Sequence, residues 1–531
     1  MAAVALALAP PTRRLRVGLF ADARRQPRWL VEAFAKAAAA DFCEVAAIAI
    51  VAGAAASPPP TLARAYGRLD RWAFGAEPCD PLDLPAAVPH RVLLEGEGWS
   101  VRDVVPLRLD VAFALGDFDD RLLDGLARYG VWRYALDGEG EVARGEPLTG
   151  AGITVRLAAG AAPRLAYESW SRTYPMSVAR NRRSLLIKAA EFAHRALRNA
   201  HRSGLGWLEQ CRIFRNGLEN PHRGLKPILK IASRIARRGI EKALSVEQWS
   251  LAFRFGGGEL DPRLEGFTRI LPPGDRDWAD PFALEKDGRH YVFFEDLLRA
   301  EGKGRIAMTE VDASGRWSTP VTVLERDYHV SYPFLLEHQG ALYMVPETAQ
   351  KRTVELYRCT EFPSRWKLEK VLLEGVRLVD PTLHRGPDRW WLFANGAPGE
   401  SRVFDDELYL YHARELLGEW QPHRRNPVKS DARSTRPAGR TYWSNGALHR
   451  PAQICAPRFG AGLAIQRVLR LTPEDYAERQ VARVLPQAGI LGLHTVNRTG
   501  PLTVIDVFAA RRRIEPMRLR RRAQVHHAAP R

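Results

Sequence analysis

His290, Val292 and Phe294 alternate with Tyr291, Phe293 and Glu295, the period-two pattern of a strand. Just upstream, Trp278-Ala279-Asp280-Pro281-Phe282-Ala283-Leu284 predicts another strand, and Lys286-Asp287-Gly288 supplies the positive-φ turn of a hairpin. The same strand, turn and strand recur three times. Ser331-Tyr332-Pro333-Phe334-Leu335-Leu336 leads through Gly340 to Leu342–Glu347, Val379-Asp380-Pro381-Thr382-Leu383 leads through Gly386 to Trp390–Phe393, and His449-Arg450-Pro451-Ala452-Gln453-Ile454 leads through Gly460 to Leu463–Ile465. The anchoring prolines are Pro281, Pro333, Pro381 and Pro451, and the long gap before the fourth holds Arg433-Ser434-Thr435-Arg436-Pro437. A period of about 50 residues with a hairpin in each unit predicts a β-propeller. A fifth unit follows, with strands Gly492–Asn497 and Leu502–Val507 around a turn at Arg498-Thr499-Gly500. Trp249 near the start and Val504 near the end are expected to share a sheet, so that strands from both termini close the ring and remove the exposed edge.

The first part of the chain reads differently. Arg16–Asp22, Val45–Val51 and Leu109–Leu115 are apolar runs separated by a helix with Pro27 in its first turn, the beginning of a βαβ arrangement with a parallel sheet. A helix is predicted from about Asp120 to Tyr129, then a short strand at Gly130–Tyr134 and a hairpin around Gly145–Gly150. Leu185, Leu186, Ala189, Ala190, Ala193 and Leu197 form a helical stripe. The expected fold class is therefore multidomain: an α/β domain over residues 1–171, a basic helical linker over 172–245, an all-β five-bladed propeller over 246–510 and a basic disordered tail over 511–531.

Composition sharpens this division. A chain of 531 residues is too long for one core, and 46% apolar residues with 14 Trp indicate folded domains. The net charge of +18 is concentrated. Between Arg180 and Lys242 stand 16 Lys/Arg against four Glu, and from Arg511 to Arg531 eight Arg against one Glu. These segments are solvated helix faces and a loose end, or else contacts to an anionic membrane surface. Nucleic acid is not expected, because no aromatic-rich or recognised nucleic-acid motif accompanies the charge. The five cysteines, Cys43, Cys79, Cys211, Cys359 and Cys455, form no CxxC pair, so neither a disulfide framework nor a zinc site is predicted, and no cofactor. The apolar Met1–Pro10 stretch lacks a preceding basic region and is read as a frayed leader. No run approaches 18 apolar residues. The expected location is cytoplasmic, peripheral to the inner face of the membrane if the basic segments engage lipid.

The first strand, Leu109-Asp110-Val111, Ala127-Arg128-Tyr129-Gly130-Val131-Trp132 and Pro147-Leu148-Thr149-Gly150-Ala151-Gly152-Ile153-Thr154 resemble the formyltransferase-fold domain of methionyl-tRNA and sugar formyltransferases. Active members carry an Asn, a His and an Asp. Here Trp132 is followed by Arg133-Tyr134-Ala135-Leu136-Asp137 without a histidine, and Thr154 by Ala158–Arg164 without a carboxylate. The resemblance thus implies a catalytically dead relative, with a sugar formyltransferase as the opposing alternative.

In a propeller the first strand of each blade lines the central channel. The residue before each anchoring proline, with its fifth equivalent, gives Asp280, Tyr332, Asp380, Arg450 and His494 at one mouth. Carboxylates, an Arg, a His and an aromatic face suit a sugar. The pattern is similar to the five-bladed propellers of glycoside hydrolase family 43, which implies Asp280 as general base, Asp380 as the orienting carboxylate and a place for His494. Where those enzymes keep a general acid, this chain has Arg450. Glu347 is the favoured replacement, because Pro346 fixes the backbone before it, and Glu295 is its blade-one equivalent. Arg450-Pro451-Ala452-Gln453 with His494-Thr495 is closer still to the N-terminal propeller domain of plant glucosamine inositolphosphorylceramide transferases. Bacterial chains of that build join the propeller to a formyltransferase-like domain, and this chain is expected to lack the glycosyltransferase domain of the plant protein. The resemblance implies Tyr332, Arg450, Gln453, His494 and Glu295 as substrate contacts. Two functions stay open beside the formyltransferase: hydrolysis or transfer at a glycosidic bond of a glycan or glycolipid, and a glycan-binding module without turnover in cell-surface polysaccharide or glycolipid biosynthesis.

Overall fold

The computed structural model describes residues 10–51, 61–75, 78–96, 99–136, 138–206, 208, 211, 225–256, 265–397 and 403–512. The leader up to Ala9 and nearly all of the basic tail lie outside the described residues. Those described fall into two compact units, one ending at Ile235 and one starting at Ala236.

The first unit is mixed α/β. Its seven-stranded sheet runs in the spatial order Val92–Leu94, Cys43–Ile50, Leu15–Ala21, Val111–Leu115, Val131–Leu136, Leu148–Arg156, Arg164–Arg172. The first five strands are parallel to one another, and Leu148–Arg156 is antiparallel to both strands beside it. Every residue of Val111–Leu115 is buried, as expected of a parallel strand covered on both faces. The helix Arg28–Ala38 covers the sheet with Trp29, Leu30, Val31, Ala33, Phe34 and Ala37. Helices Val178–Ala189 and Phe192–Ser203 belong to the same core through Leu185, Leu186, Ala189, Phe192, Ala193 and Leu197.

Two local expectations fail. Instead of a helix from Asp120 to Tyr129 there is one 3-10 turn, Asp120–Leu123. Arg156 draws both Asp120 and Asp124 into ion pairs, and Gly125 takes φ +81°. Around Gly145 there is a short helix, Gly140–Arg144, ended by Gly145 in the left-handed region. The hairpin falls later, between Leu148–Arg156 and Arg164–Arg172.

The second unit is a five-bladed β-propeller. Blade one is Arg276–Lys286, Arg289–Leu298, Lys303–Val311 and Val321–Leu324, and blade two is Ser331–His338, Ala341–Thr348, Thr353–Glu361 and Arg365–Glu374. Blade three begins with Leu378–Arg385 and Trp390–Gly396. Blade five places Val496–Thr499 innermost, then Leu502–Arg512, then Ser245–Phe255 and Thr268–Ile270. Trp249 faces Phe508 and Phe253 faces Val504 across that sheet, so the ring closes as the sequence predicts.

Asp280, Tyr332 and Asp380 take φ of +53°, +44° and +54°. At each of them the pairing register of the innermost strand slips. The following proline has no N–H to give the ladder, and a left-handed backbone at a non-glycine residue is strained. The three kinks recur at one level of the ring and re-aim the three side chains.

Blade four corrects the sequence reading. Arg450 faces Gln466 and Pro451 faces Ile465 in an unbroken ladder, so Ala447–Ile454 is the second strand of its blade. The innermost segment is the apparent insertion. Cys455 N donates to Ala432 O, Gln453 N to Arg436 O and Ala438 N to Pro451 O, and Tyr442–Ser444 then pairs with Ala447–His449. The anchoring proline of blade four is therefore Pro437, and with it the prolines Pro281, Pro333, Pro381 and Pro437 recur at a nearly even spacing.

Candidate functional site

The kinks bring Asp280 and Asp380 into one buried cluster at the channel. His494, at the start of blade five's inner segment, lies between two carboxylates. Its Nε2 is 3.0 Å from Asp280 Oδ1 and its Nδ1 3.1 Å from Asp506 Oδ2. Asp506 also accepts backbone N–H bonds from Asp280, His494 and Thr495. Thr495 Oγ1 donates to Asp280 Oδ1 at 2.8 Å. Oδ2 of Asp280 has no protein partner among the described residues.

On the other side Arg436 donates to both oxygens of Asp380, at 2.6 and 3.3 Å, and Gln453 Nε2 donates to Oδ2 at 2.8 Å. Arg436 also bonds Phe404 O and lies 4.5 Å from the Phe459 ring centroid. Trp249 and Phe459 stand 4.2 and 5.0 Å from the His494 ring. Both aromatic rings are half-buried and form a wall beside the charged cluster. Gly460 leaves room for it, since a Cβ there would meet the Trp249 indole at 2.8 Å.

Charge is divided unevenly among the carboxyls. Burial opposes ionisation of Asp280, but the His494 charge and the bonds from His494 and Thr495 outweigh it and hold the group below its ordinary value. Burial likewise disfavours the His494 cation, yet Asp506 and Asp280 raise it to about 10. As an imidazolium held between two carboxylates, His494 forms a charge clamp with Asp280 and Asp506, and the donor atoms of the trio lie within 4.8 Å of one another. Glu347 goes the opposite way. Burial, then the Asp380 charge, then a hydrogen bond to Asp380 push it well above the carboxylate range. Asp380 is raised less, because Arg436 offsets part of its burial. The negative charge of that pair therefore stays on Asp380, and Glu347 holds the proton. Burial, with Asp280 and Glu347 nearby, also keeps Glu295 neutral, and its Oε1 lies 3.4 Å from His329 Nε2. Glu295 and Glu347 are both half-buried and reach solvent.

Asp280, Asp380, Glu347, Glu295, His494 and Gln453 thus meet in one site. Two predicted contacts do not serve as expected. Arg450 is fully buried within blade four, bonded to both oxygens of Glu478 and to the carbonyls of Ser434 and Thr435. It sits on the second strand and cannot reach a ligand; Arg436 is the guanidinium at the mouth. Tyr332 presents no stacking face. It is fully buried against Phe282, and its hydroxyl meets Thr382 Oγ1 at 2.9 Å and accepts from Gly439 N at 2.7 Å. Tyr332 is a stopper joining blades two, three and four across the channel.

Sequence reasoning missed Arg436, Asp506, Thr495, Trp249 and Phe459 as site residues. Arg436-Pro437 carries the same residue-before-proline signal as Asp280-Pro281. Asp506 is a lone charge within Leu502-Thr503-Val504-Ile505-Asp506-Val507, and a charge in an apolar strand calls for a buried partner. For Phe459, in the turn after the second strand of blade four, no local pattern marks the site.

The family described as Glucosamine inositolphosphorylceramide transferase 1, N-terminal, matches residues 275–489. Glucosamine inositolphosphorylceramide transferase 1 of Oryza sativa subsp. japonica is 32% identical over 203 residues, 38% of this chain and 27% of that protein. The Arabidopsis thaliana protein of the same name is 32% identical over 206 residues, again 38% and 27%. The match thus spans about a quarter of the length of these relatives. Among solved structures, Zg3597, a family 117 glycoside hydrolase of Zobellia galactanivorans, aligns at 12% identity and TM-score 0.34, covering 54% of this chain and 98% of its own. The catalytic domain of a Coprinopsis cinerea GH62 α-L-arabinofuranosidase aligns at 11% identity and TM-score 0.35, covering 49% and 97%. Scores at that level say nothing about chemistry.

Proposed function

We propose that the propeller mouth performs acid–base chemistry on a glycosidic bond of a glycan or glycolipid. One arrangement carries this reading: in a single site Asp280 is held by His494 and Thr495 through one oxygen, which favours its charge, while Glu347 is buried beside the Arg436-bonded Asp380, which favours its proton. Two carboxyls whose environments push them in opposite directions supply a base and an acid at once. In this reading Asp280 Oδ2 takes the proton of the attacking hydroxyl, from water or an acceptor sugar, and Glu347 gives its proton to the departing oxygen. Arg436 and Gln453 hold Asp380 as the charge that keeps Glu347 protonated, and Trp249 and Phe459 offer stacking faces to a sugar ring. Asp280→Asn is the clean test, since Asn tolerates the left-handed backbone of this position. Turnover across a glycan panel should fall by about 10²–10⁴, while affinity changes by only about 1–2 kcal/mol. Binding of glycans with no product from the parent protein would leave the module without turnover as the reading.

The first unit fits a silent relative of the formyltransferases better than an active one. A ligand crevice in such a sheet is expected between Leu15–Ala21 and Val111–Leu115, where the strand order reverses. There Asp22 fills the space. Its carboxylate accepts from Gln26 Nε2 and Asp117 N, and a Cβ on Gly116 would lie 2.0 Å from it.

The basic helix Leu225–Leu244 supports a membrane partner. It exposes Leu229, Ile240 and Leu244, at 59%, 60% and 66%, at spacings that set them on one face beside Lys230 and Arg237. No described helix is long and apolar enough to cross a membrane, so the contact would be interfacial.

A further inference from the structure

On the far side of the Tyr332 stopper lies a cation with no ion-pair partner among the described residues. Arg440 follows the Arg436-Pro437 segment down the inner strand of blade four. Its backbone N–H donates to Asn497 Oδ1 at 2.9 Å, and the Asn497 amide donates in turn to Pro281 O at 2.7 Å. These bonds fix its depth in the ring. Its guanidinium lies 5.9 and 5.2 Å from the ring centroids of Phe282 and Phe334. Those phenylalanines stand two residues beyond Asp280 and Tyr332 on their strands, on the order of 7 Å further along the channel. Tyr332, fully buried and bonded across three blades, separates this throat from the acidic mouth.

The guanidinium makes no ion pair and no side-chain hydrogen bond with the described residues, and its Nε is buried without an acceptor. Burial pushes its pKa down to about 10, Tyr332 and Glu337 opposing only in part, so it is charged at neutral pH. His384 nearby on blade three is bonded to Thr441 Oγ1, and burial lowers it to about 4, so it brings no charge. Two other buried guanidinium groups of this propeller have carboxylates: Arg436 has Asp380 and Arg450 has Glu478. Stacking over two rings offsets part of the cost of burial, but the buried Nε–H faces no acceptor and leaves part of it unmet. Arg440 is half-buried, and its terminal nitrogens are not among the side-chain atoms buried without a partner.

We propose that the throat beyond Tyr332 is a second ligand site, in which Arg440 receives an oxyanion, a phosphate or a carboxylate, between Phe282 and Phe334. The fork geometry of a guanidinium matches both groups. The site is separate from the acidic mouth and stands or falls independently of its chemistry.

The test uses the full chain. Inorganic phosphate, acetate and chloride are titrated at matched ionic strength, with thermal unfolding and calorimetry as readouts. Phosphate or acetate should raise the unfolding temperature and bind where chloride does not; the one that acts identifies the oxyanion. In Arg440→Met the anion-free protein should unfold at a higher temperature than the parent, and its affinity for the effective anion should be weaker by about tenfold or more. Asp280→Asn, altered on the other side of the stopper, should keep the full response. Arg440→Lys, which keeps the charge and loses the fork, should bind more weakly than the parent, and this variant serves if Arg440→Met does not fold. A parent protein that responds equally to all three salts, or Arg440 variants that bind the anion as well as the parent, would overturn the proposal.

Discussion

Replacing Arg450 with methionine should cost stability while leaving the ligand site's own groups in place. The side chain is fully buried, and its partner Glu478 is 2% exposed. Arg450 bonds Glu478 at 2.8 and 3.0 Å, and Lys429 holds the same carboxylate at 2.8 Å. Removing one partner of a buried pair costs on the order of 3–5 kcal/mol, because the other charge is left without compensation. Lys429 remains, which places the loss near the lower end of that range. The carboxylate gives the same scale from the opposite direction. Burial opposes its charge, but Arg450 and Lys429 bring Glu478 from 4.5 down to about 2. At about 1.4 kcal/mol per pH unit that is about 3 kcal/mol. Because the folded value is the lower one, this contribution is present above pH 4.5 and is lost as the pH falls towards 2. Urea unfolding of Arg450→Met, Glu478→Gln and the double variant at pH 7, and acid unfolding of the first, measure it. The double variant should be more stable than the summed single losses imply, by about 1–3 kcal/mol, and the acid midpoint of Arg450→Met should move to higher pH. If Arg450→Met lost less than about 1 kcal/mol while ligand affinity collapsed, Arg450 would be a ligand contact after all.

Stability should also fall in alkali as the pH rises through about 10, since His494 gains its folded-state charge from Asp506 and Asp280 and that gain is complete below its ordinary 6.5; His494→Gln should flatten this limb in thermal scans. Gly439→Ala should not yield folded protein, because a Cβ would sit 2.0 Å from Val496 O at φ +122°; a normal circular dichroism spectrum and unfolding temperature would count against the blade-four assignment. Binding to vesicles of anionic lipid should weaken steeply with salt, and the triple change Leu229→Asp, Ile240→Asp, Leu244→Asp should abolish it. Co-sedimentation unaffected by either would return the helix to a solvated face. The first unit should not consume 10-formyltetrahydrofolate with any amino-sugar acceptor, as followed by the folate absorbance.

The ring was legible because four of the blades repeat a proline beside a hairpin, and local alternation is a short-range signal. Blade four was misread for the same reason. Arg450-Pro451 has the expected look, but which of two neighbouring strands is innermost depends on pairings such as Ala438 with Pro451, which no local pattern encodes. Asp280, Asp380, Glu347, Glu295 and His494 could be picked from the repeat and the resemblance it carries, whereas their protonation could not. That depends on which carboxyl is bonded to Arg436 and which is buried beside other acids without such a bond. The first unit's apolar strands announced a parallel sheet, while the failed helix after Asp120 was decided by Arg156, at the end of a strand far downstream.

Blade five joins strands made at opposite ends of the propeller's synthesis. Phe253 pairs with Val504 and Ser245 with Arg512, with all four other blades lying between them in the chain. Those blades can form as they emerge from the ribosome, but the ring stays open, with Ser245–Phe255 unpaired on its inner side, until the last strand appears. Contacts of such sequence separation fold slowly, because loop closure must precede their reward. The closing seam should therefore be the late step of refolding, and the waiting strand the surface most exposed to mispairing. The charge clamp inherits this timing, since Asp506 lies on the last strand and Asp280 on the first blade. Pulse-labelled hydrogen exchange would show the amides of Ser245–Phe255 and Leu502–Arg512 gaining protection together, after those of blades two and three. A chain permuted to join Arg512 to Ser245 and opened in an outer loop would turn the slowest contact into a local one.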